Sequence, residues 1–199
     1  MAAATIVASH AFKVVVAGSF AAGKSTLIRE ISDTDVVGTE APTSGAEAAV
    51  KGTTTVGMEY GTFAVGDGDL AVELSLFGLP GQERFRFLWD IVSAGADGFL
   101  LLVDASRPET WPETAAMATR LGGHHATPLV VGINRVGTDV DLFDRVVEAV
   151  GALDAPHVAC EVVDPASVRE ALVTVLLLVL DRLDPGEAPD PDDRIPHLP

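Results

Sequence analysis

The residues best suited to chemistry are Gly18-Ser19-Phe20-Ala21-Ala22-Gly23-Lys24-Ser25, which match the spacing G-x-x-x-x-G-K-[ST]. They follow a β-like run, Lys13-Val14-Val15-Val16-Ala17, and open a segment of helical character. In that setting the glycines let the backbone curl so that successive N–H groups converge on phosphate oxygens, and the next helix turns its positive end toward the same point. Lys24 is placed to bridge the β- and γ-phosphates of a nucleotide, Ser25 to ligate Mg²⁺, and the stretch from Gly18 to Thr26 to form the cradle. The bland alternative is a glycine-rich turn with no ligand. The chain has only three lysines, Lys13, Lys24 and Lys51. The full pattern arises by chance in roughly one such sequence in a few hundred, before its strand-to-helix setting is counted, so the nucleotide reading is the stronger.

Further along, Leu76-Phe77-Gly78-Leu79-Pro80-Gly81-Gln82-Glu83-Arg84-Phe85 resembles the second switch of Ras-like small GTPases, D-x-x-G-Q-E-R-F. The resemblance implies that the Gly81 N–H meets the γ-phosphate and that Gln82, with Lys24, is catalytic, orienting the attacking water. Without it, Gln82 reads as an exposed loop amide. Thr55-Val56-Gly57-Met58-Glu59-Tyr60 is similar to the first-switch pattern T-I-G-x-[DE]-[FY]. This implies Thr55 as the second protein ligand of Mg²⁺, with Thr53 and Thr54 as adjacent competitors. The likeness runs over residues 12–183, and the run from Phe77 to Asp90 most resembles the bacterial conservon-type small GTPases. The partners implied by that subfamily are a Roadblock-fold regulatory protein and a sensor-kinase-like protein.

Three departures from the pattern carry as much information as the matches. Gly78 stands where the second switch normally has the aspartate that holds Mg²⁺ through water, so metal binding is expected to be weaker unless another carboxylate substitutes. The base-reading motif N-K-x-D is reduced to Asn134-Arg135-Val136-Gly137. Asn134 and Arg135 remain candidate nucleotide contacts, but no acid at Gly137 accepts from the guanine N1–H and amino group, which relaxes the expected base preference. Asp139, two residues on, is the candidate replacement. The last family motif, S-A-K, survives only as Glu161-Val162-Val163, leaving a backbone contact from Val162.

The elements that must position these residues are legible as short apolar runs alternating with longer helix-compatible segments, the pattern of a mostly parallel sheet covered on both faces. Strands are expected over Phe12–Ala17, Val56–Val65, Leu70–Phe77, Gly98–Asp104, Pro128–Ile133 and His157–Cys160. Helices are expected over Lys24–Ile31, Phe87–Ala94, Glu109–Gly122, Leu142–Leu153 and Ala166–Leu183. Gly66-Asp67-Gly68-Asp69 is too short for a crossover helix, so the second and third strands form an antiparallel hairpin at one edge. The fold class is therefore α/β, which the family likeness narrows to a P-loop NTPase three-layer sandwich with a six-stranded sheet. Asp33–Thr54 reads as a long loop without periodicity. Residues 1–11 are expected to be a flexible N-terminus, 12–183 the domain, and 184–199 a disordered tail rich in proline and aspartate.

Composition narrows the function classes. A formal charge of −16 argues against binding nucleic acid or anionic lipid through long-range attraction. Cys160 is the only cysteine, which excludes an internal disulfide, fits a reducing cytoplasm and suits a small core residue better than a nucleophile. Neither a signal peptide nor a lipidation motif is evident, and the apolar stretch Ala171–Leu180 is too short to span a membrane, so any membrane association is expected to run through partners. His124-His125 lacks a third ligand nearby and reads as a helix end. Phe85, Phe87 and Trp89 fit core and partner-facing roles equally. The expected activity is a cytoplasmic Mg²⁺-dependent switch that binds GTP or GDP and hydrolyses GTP slowly alone, because no arginine occurs in the phosphate loop or between Glu30 and Thr55. A degenerate GTPase-fold scaffold is the competing class, favoured by Gly78 and Gly137; a P-loop kinase fits the switch motif poorly.

Overall fold

A computed structural model describes residues 11–38, 40–42, 53–55, 58–66, 71–81, 85, 87–122, 127–152 and 154–183. Gln82, His124 and His125, and both expected terminal segments apart from Ala11, lie outside the described residues. Strands β1 (Phe12–Gly18), β4 (Glu59–Val65), β5 (Val72–Gly78), β6 (Gly98–Asp104), β7 (Leu129–Asn134) and β8 (His157–Ala159) form a six-stranded sheet in the order β4-β5-β1-β6-β7-β8. All neighbours are parallel except β4 and β5, which pair antiparallel from Glu59 opposite Gly78 to Val65 opposite Val72. The expected edge hairpin is present.

Alternation along the strands divides the core in two. Val14, Val16, Leu100 and Leu102 face one side with α1 (Lys24–Ile31) and α5 (Pro165–Leu183). Val15, Ala17, Phe99, Leu101 and Val103 face the other, with α2 (Phe87–Ser93), α3 (Trp111–Gly122) and α4 (Val140–Val150). Every residue of β6 is buried, because a central parallel strand has helices on both faces. This is the three-layer α/β sandwich expected from the sequence.

The long first loop differs from expectation. Glu40–Pro42 (β2) and Thr53–Thr55 (β3) form a separate two-stranded antiparallel ladder, with Glu40 opposite Thr55. Three-residue strands with a proline in one of them offer no alternating apolar pattern to read. Pro108–Thr110 makes a single 3-10 turn, so α3 begins at Trp111 rather than at Glu109.

The chain leaves β1 toward β5 and leaves β6 toward β7, so the strand order reverses between β1 and β6. In open α/β sheets the crevice outside the carboxyl ends of strands at such a reversal is where ligands bind.

Candidate functional site

The loop from Gly18 to Lys24 lies at that crevice, and its curvature is set by two glycines that no other residue could replace without displacement. Gly18 has φ of 143° and lies so close to β6 that a Cβ would sit 2.5 Å from the Leu102 carbonyl oxygen. Gly23, with φ of 112°, caps the N-terminus of α1, and a Cβ there would meet Asn134 Nδ2 at 2.9 Å and Val162 Cγ2 at 3.0 Å. Between them Ala21 takes a left-handed φ of 62°, a backbone state that costs a non-glycine residue about 1–3 kcal/mol and is found where a binding loop is held in a functional shape.

Lys24 is buried, and its ammonium donates to the carbonyls of Gly18, at 2.8 Å, and Ser19, at 2.7 Å. A single buried cation thus ties the mouth of the loop. Ser19 is 1% exposed, and its Oγ has no hydrogen-bond partner among the described residues. An unpartnered buried hydroxyl next to a buried ammonium is a polar cradle that an anion completes. Ser25 and Thr26, half-buried, occupy the first turn of α1, where free N–H groups and the helix dipole favour negative charge.

The second switch reaches the same cradle. Leu79 N–H donates to Val16 O at 2.9 Å, and a Cβ on Gly81 would lie 2.8 Å from both Lys24 Nζ and Phe20 N. Only a glycine allows the strand exit to come this close. Trp89 is buried and its indole N–H donates to Pro80 O at 3.2 Å, anchoring α2 beneath the loop. Phe87 and Ile91, four apart on α2, are both exposed, so the aromatic group divides: Trp89 is core and Phe87 faces outward.

Thr55 lies on β3, outside the six-stranded sheet; its hydroxyl is not among the described side chains. Asn134 is fully buried and joins two expected site segments. Its Nδ2 donates to Ala22 O at 3.0 Å and its Oδ1 accepts from Val162 N–H at 3.4 Å. Arg135 has a left-handed φ of 61° and turns its guanidinium to the buried carboxylate of Asp104, whose other oxygen accepts from Ser106 N–H and Oγ–H at 3.0 and 2.6 Å. Asp139, the candidate replacement for the base-reading acid, is engaged within the chain. It caps α4, accepting from Leu142 N–H at 2.9 Å.

Two residues near the site were not singled out as site residues from sequence. Arg107, after β6, donates from Nη1 to Phe20 O in the phosphate loop at 2.9 Å and pairs with Glu109 at 3.1 Å. Their separation of 87 residues hides this contact from any local reading. Glu59, 2% exposed, lies beside Gly78. Cys160 behaves as core: burial, followed by the charge of Glu161, pushes its thiol up to about 12, far from the thiolate a nucleophile needs. Among the described residues no cluster of three or more His, Cys, Asp or Glu is placed to hold a metal, and no helix is long and apolar enough to cross a membrane.

The sequence matches the Ras family over residues 13–164. It is 29% identical over 190 residues to the Ras-related protein Rab-4B of Homo sapiens, covering 91% of this chain and 81% of that protein. The Arabidopsis thaliana proteins RABA1c and RABA1f are each 28% identical to it, over 67% and 73% of this chain. The chain spans only 55% and 60% of the length of those two plant relatives. A match that begins inside β1 and ends just before α5 takes in the phosphate loop, the switch segments and the Asn134 staple together, and the chain belongs to the Ras family.

Proposed function

We propose that this chain binds GTP and GDP and acts as a nucleotide-dependent switch that hydrolyses GTP slowly on its own. The observation that carries the reading is the cradle at the end of β1: Lys24 buried against the Gly18 and Ser19 carbonyls, an unpartnered Ser19 hydroxyl, and Gly81 seated against Phe20. Phosphates would take the loop amides from Gly18 to Thr26, and Lys24 would turn from its carbonyls to the β- and γ-oxygens. The residues fit a magnesium nucleotide, since Ser25 offers a hydroxyl beside the loop and Thr55 is its family counterpart from the first switch. When bound, Mg²⁺ neutralises charge on the phosphate oxygens. Gln82 would orient the attacking water. With no arginine in the loop, turnover is expected to depend on one supplied from elsewhere, and Arg107, which donates to Phe20 O, is an arginine tied to the loop.

Conservon-type partners, a Roadblock-fold regulator and a sensor-kinase-like protein, extend this reading. What supports a partner surface is the exposed pair Phe87 and Ile91 on α2, directly after the second switch, where nucleotide state would alter what is presented.

The scaffold alternative rests on the base end, where Gly137 lacks an acid and Asp139 is engaged as a helix cap. Mass spectrometry of the nucleotide that copurifies with the chain, combined with phosphate release by wild type and Lys24→Ala, separates the readings. Guanine nucleotide in the preparation and release abolished in Lys24→Ala support the switch. Adenine nucleotide would overturn the guanine assignment, and occupancy without release would support the scaffold.

A further inference from the structure

Two acidic side chains are buried among the described residues, Asp104 and Glu59, and they differ in how they are satisfied. Both oxygens of Asp104 are engaged, one by Ser106 and the other by Arg135. Glu59 is not satisfied in this way. Among the described residues its buried Oε1 has no hydrogen-bond partner, and a guanidinium nitrogen of half-exposed Arg29 lies 3.7 Å from it. A buried carboxylate left in that state calls for a cation or a water held by one.

Its location says which cation. Glu59 begins β4 and pairs with Gly78 at the carboxyl end of β5, so it stands at the phosphate end of the sheet. A Cβ on Gly78 would lie 3.2 Å from Glu59 Oε2, and a Cβ on Gly38 would lie 3.0 Å from Glu59 Cγ. Two glycines therefore make the slot that the glutamate arm occupies. The same Gly78 Cβ would meet Ile28 Cδ1 at 2.9 Å. Ile28 is one turn from Ser25 on the same face of α1, which brings the carboxylate to the helix face that carries the expected magnesium hydroxyl. Mg²⁺ on a nucleotide needs only one or two carboxylates besides phosphate and water, in keeping with a single acid here.

We propose that Glu59 supplies, from the neighbouring strand, the magnesium-holding carboxylate that Gly78 does not. It acts on Mg²⁺ through coordinated water, next to Ser25. This inference rests on the nucleotide-binding reading above.

The test is release of a fluorescent diphosphate, of whichever purine copurifies, from the full chain across a range of free Mg²⁺. In wild type Mg²⁺ slows release with a defined midpoint. Glu59→Gln is expected to move that midpoint to about 10–100-fold higher Mg²⁺, the usual cost of losing a partner around a metal site, while release in EDTA stays as in wild type. A midpoint that does not move overturns the proposal and leaves nucleotide binding standing. In the exchange variant E59A/G78D, removal of the glutamate clears its Oε2, the Ile28 Cδ1 methyl turns aside to admit the new Cβ, and the midpoint is expected to return to within about threefold of wild type, less than the loss expected from removing such a partner. If Glu59→Gln does not fold, the exchange variant decides: a midpoint that stays at least tenfold weaker overturns the proposal. Absence of fluorescent nucleotide binding in wild type, with or without Mg²⁺, overturns both readings.

Discussion

At the phosphate end of the groove, Gly18, Gly23, Lys24 and Gly81 interlock so closely that three of these positions exclude any side chain. At the base end, Gly137 faces open space, Arg135 is turned to Asp104, and Asp139 caps a helix. On the proposed nucleotide reading, the first set would hold the polyphosphate and the second would read the base. The difference teaches that affinity and specificity would be carried by separate groups in that reading, linked by Asn134, which touches Ala22 on one side and Val162 on the other. Such a division would let phosphate binding persist while base preference weakens.

The largest effect is expected at the phosphate end. Lys24→Ala removes the one buried ammonium in the loop and its hydrogen bonds to the Gly18 and Ser19 carbonyls. Losing a buried, hydrogen-bonded charge costs about 2–5 kcal/mol in binding, at least roughly thirtyfold in affinity. Calorimetric titration with magnesium nucleotide checks this, and affinity within a few-fold of wild type would mean the cradle is not the binding element. Gly18→Ala comes next. Its Cβ meets a backbone carbonyl at 2.5 Å and a φ of 143° that alanine avoids, so strand β1 or β6 must shift. The expected loss is about 2–4 kcal/mol of stability, with a melting temperature lower by roughly 4–16 °C.

How far the sequence revealed this molecule follows from the range of the forces involved. Helix α1 matches its expected bounds, Lys24–Ile31, because a left-handed glycine starts it and an extended Ser32 ends it, both local signals. The β4–β5 hairpin was legible because its linker is too short for anything else. Helix α4 begins at Val140, two residues earlier than its apolar pattern suggests, since Asp139 caps it. The cradle residues were legible from one motif. The Arg107–Phe20, Arg135–Asp104 and Glu59–Gly78 contacts were not, because each depends on strand register or chain return across the sheet. The β2–β3 ladder stayed hidden because three-residue strands carry no period.

An intermediate effect is expected from rebuilding the base end. Gly137→Asp puts a carboxylate where the family has one, at a φ of 56° that aspartate tolerates better than most residues, and its Cβ would meet nothing within 4 Å. A hydrogen bond from guanine to a charged acceptor is worth about 1.5–3 kcal/mol, so preference for GDP over ADP is expected to rise about tenfold to a hundredfold. Competition between the two diphosphates measures it. An unchanged ratio would break the contrast between the two ends, because base choice would then be set elsewhere.

The smallest effect sharpens the same contrast from the other side. Asp139→Ala deletes the acceptor for Leu142 N–H at the start of α4, and losing an N-cap of this type costs about 1 kcal/mol. For a chain of this size that corresponds to a melting temperature lower by roughly 2–4 °C, readable by calorimetry. The ratio of GDP to ADP affinity should stay as in wild type, because the carboxylate is directed into the helix turn and not at a base. A fall in that ratio without the thermal shift would reverse the assignment. Asp139 would then be the replacement acid, and the base end would have moved its reading group by two residues rather than lost it.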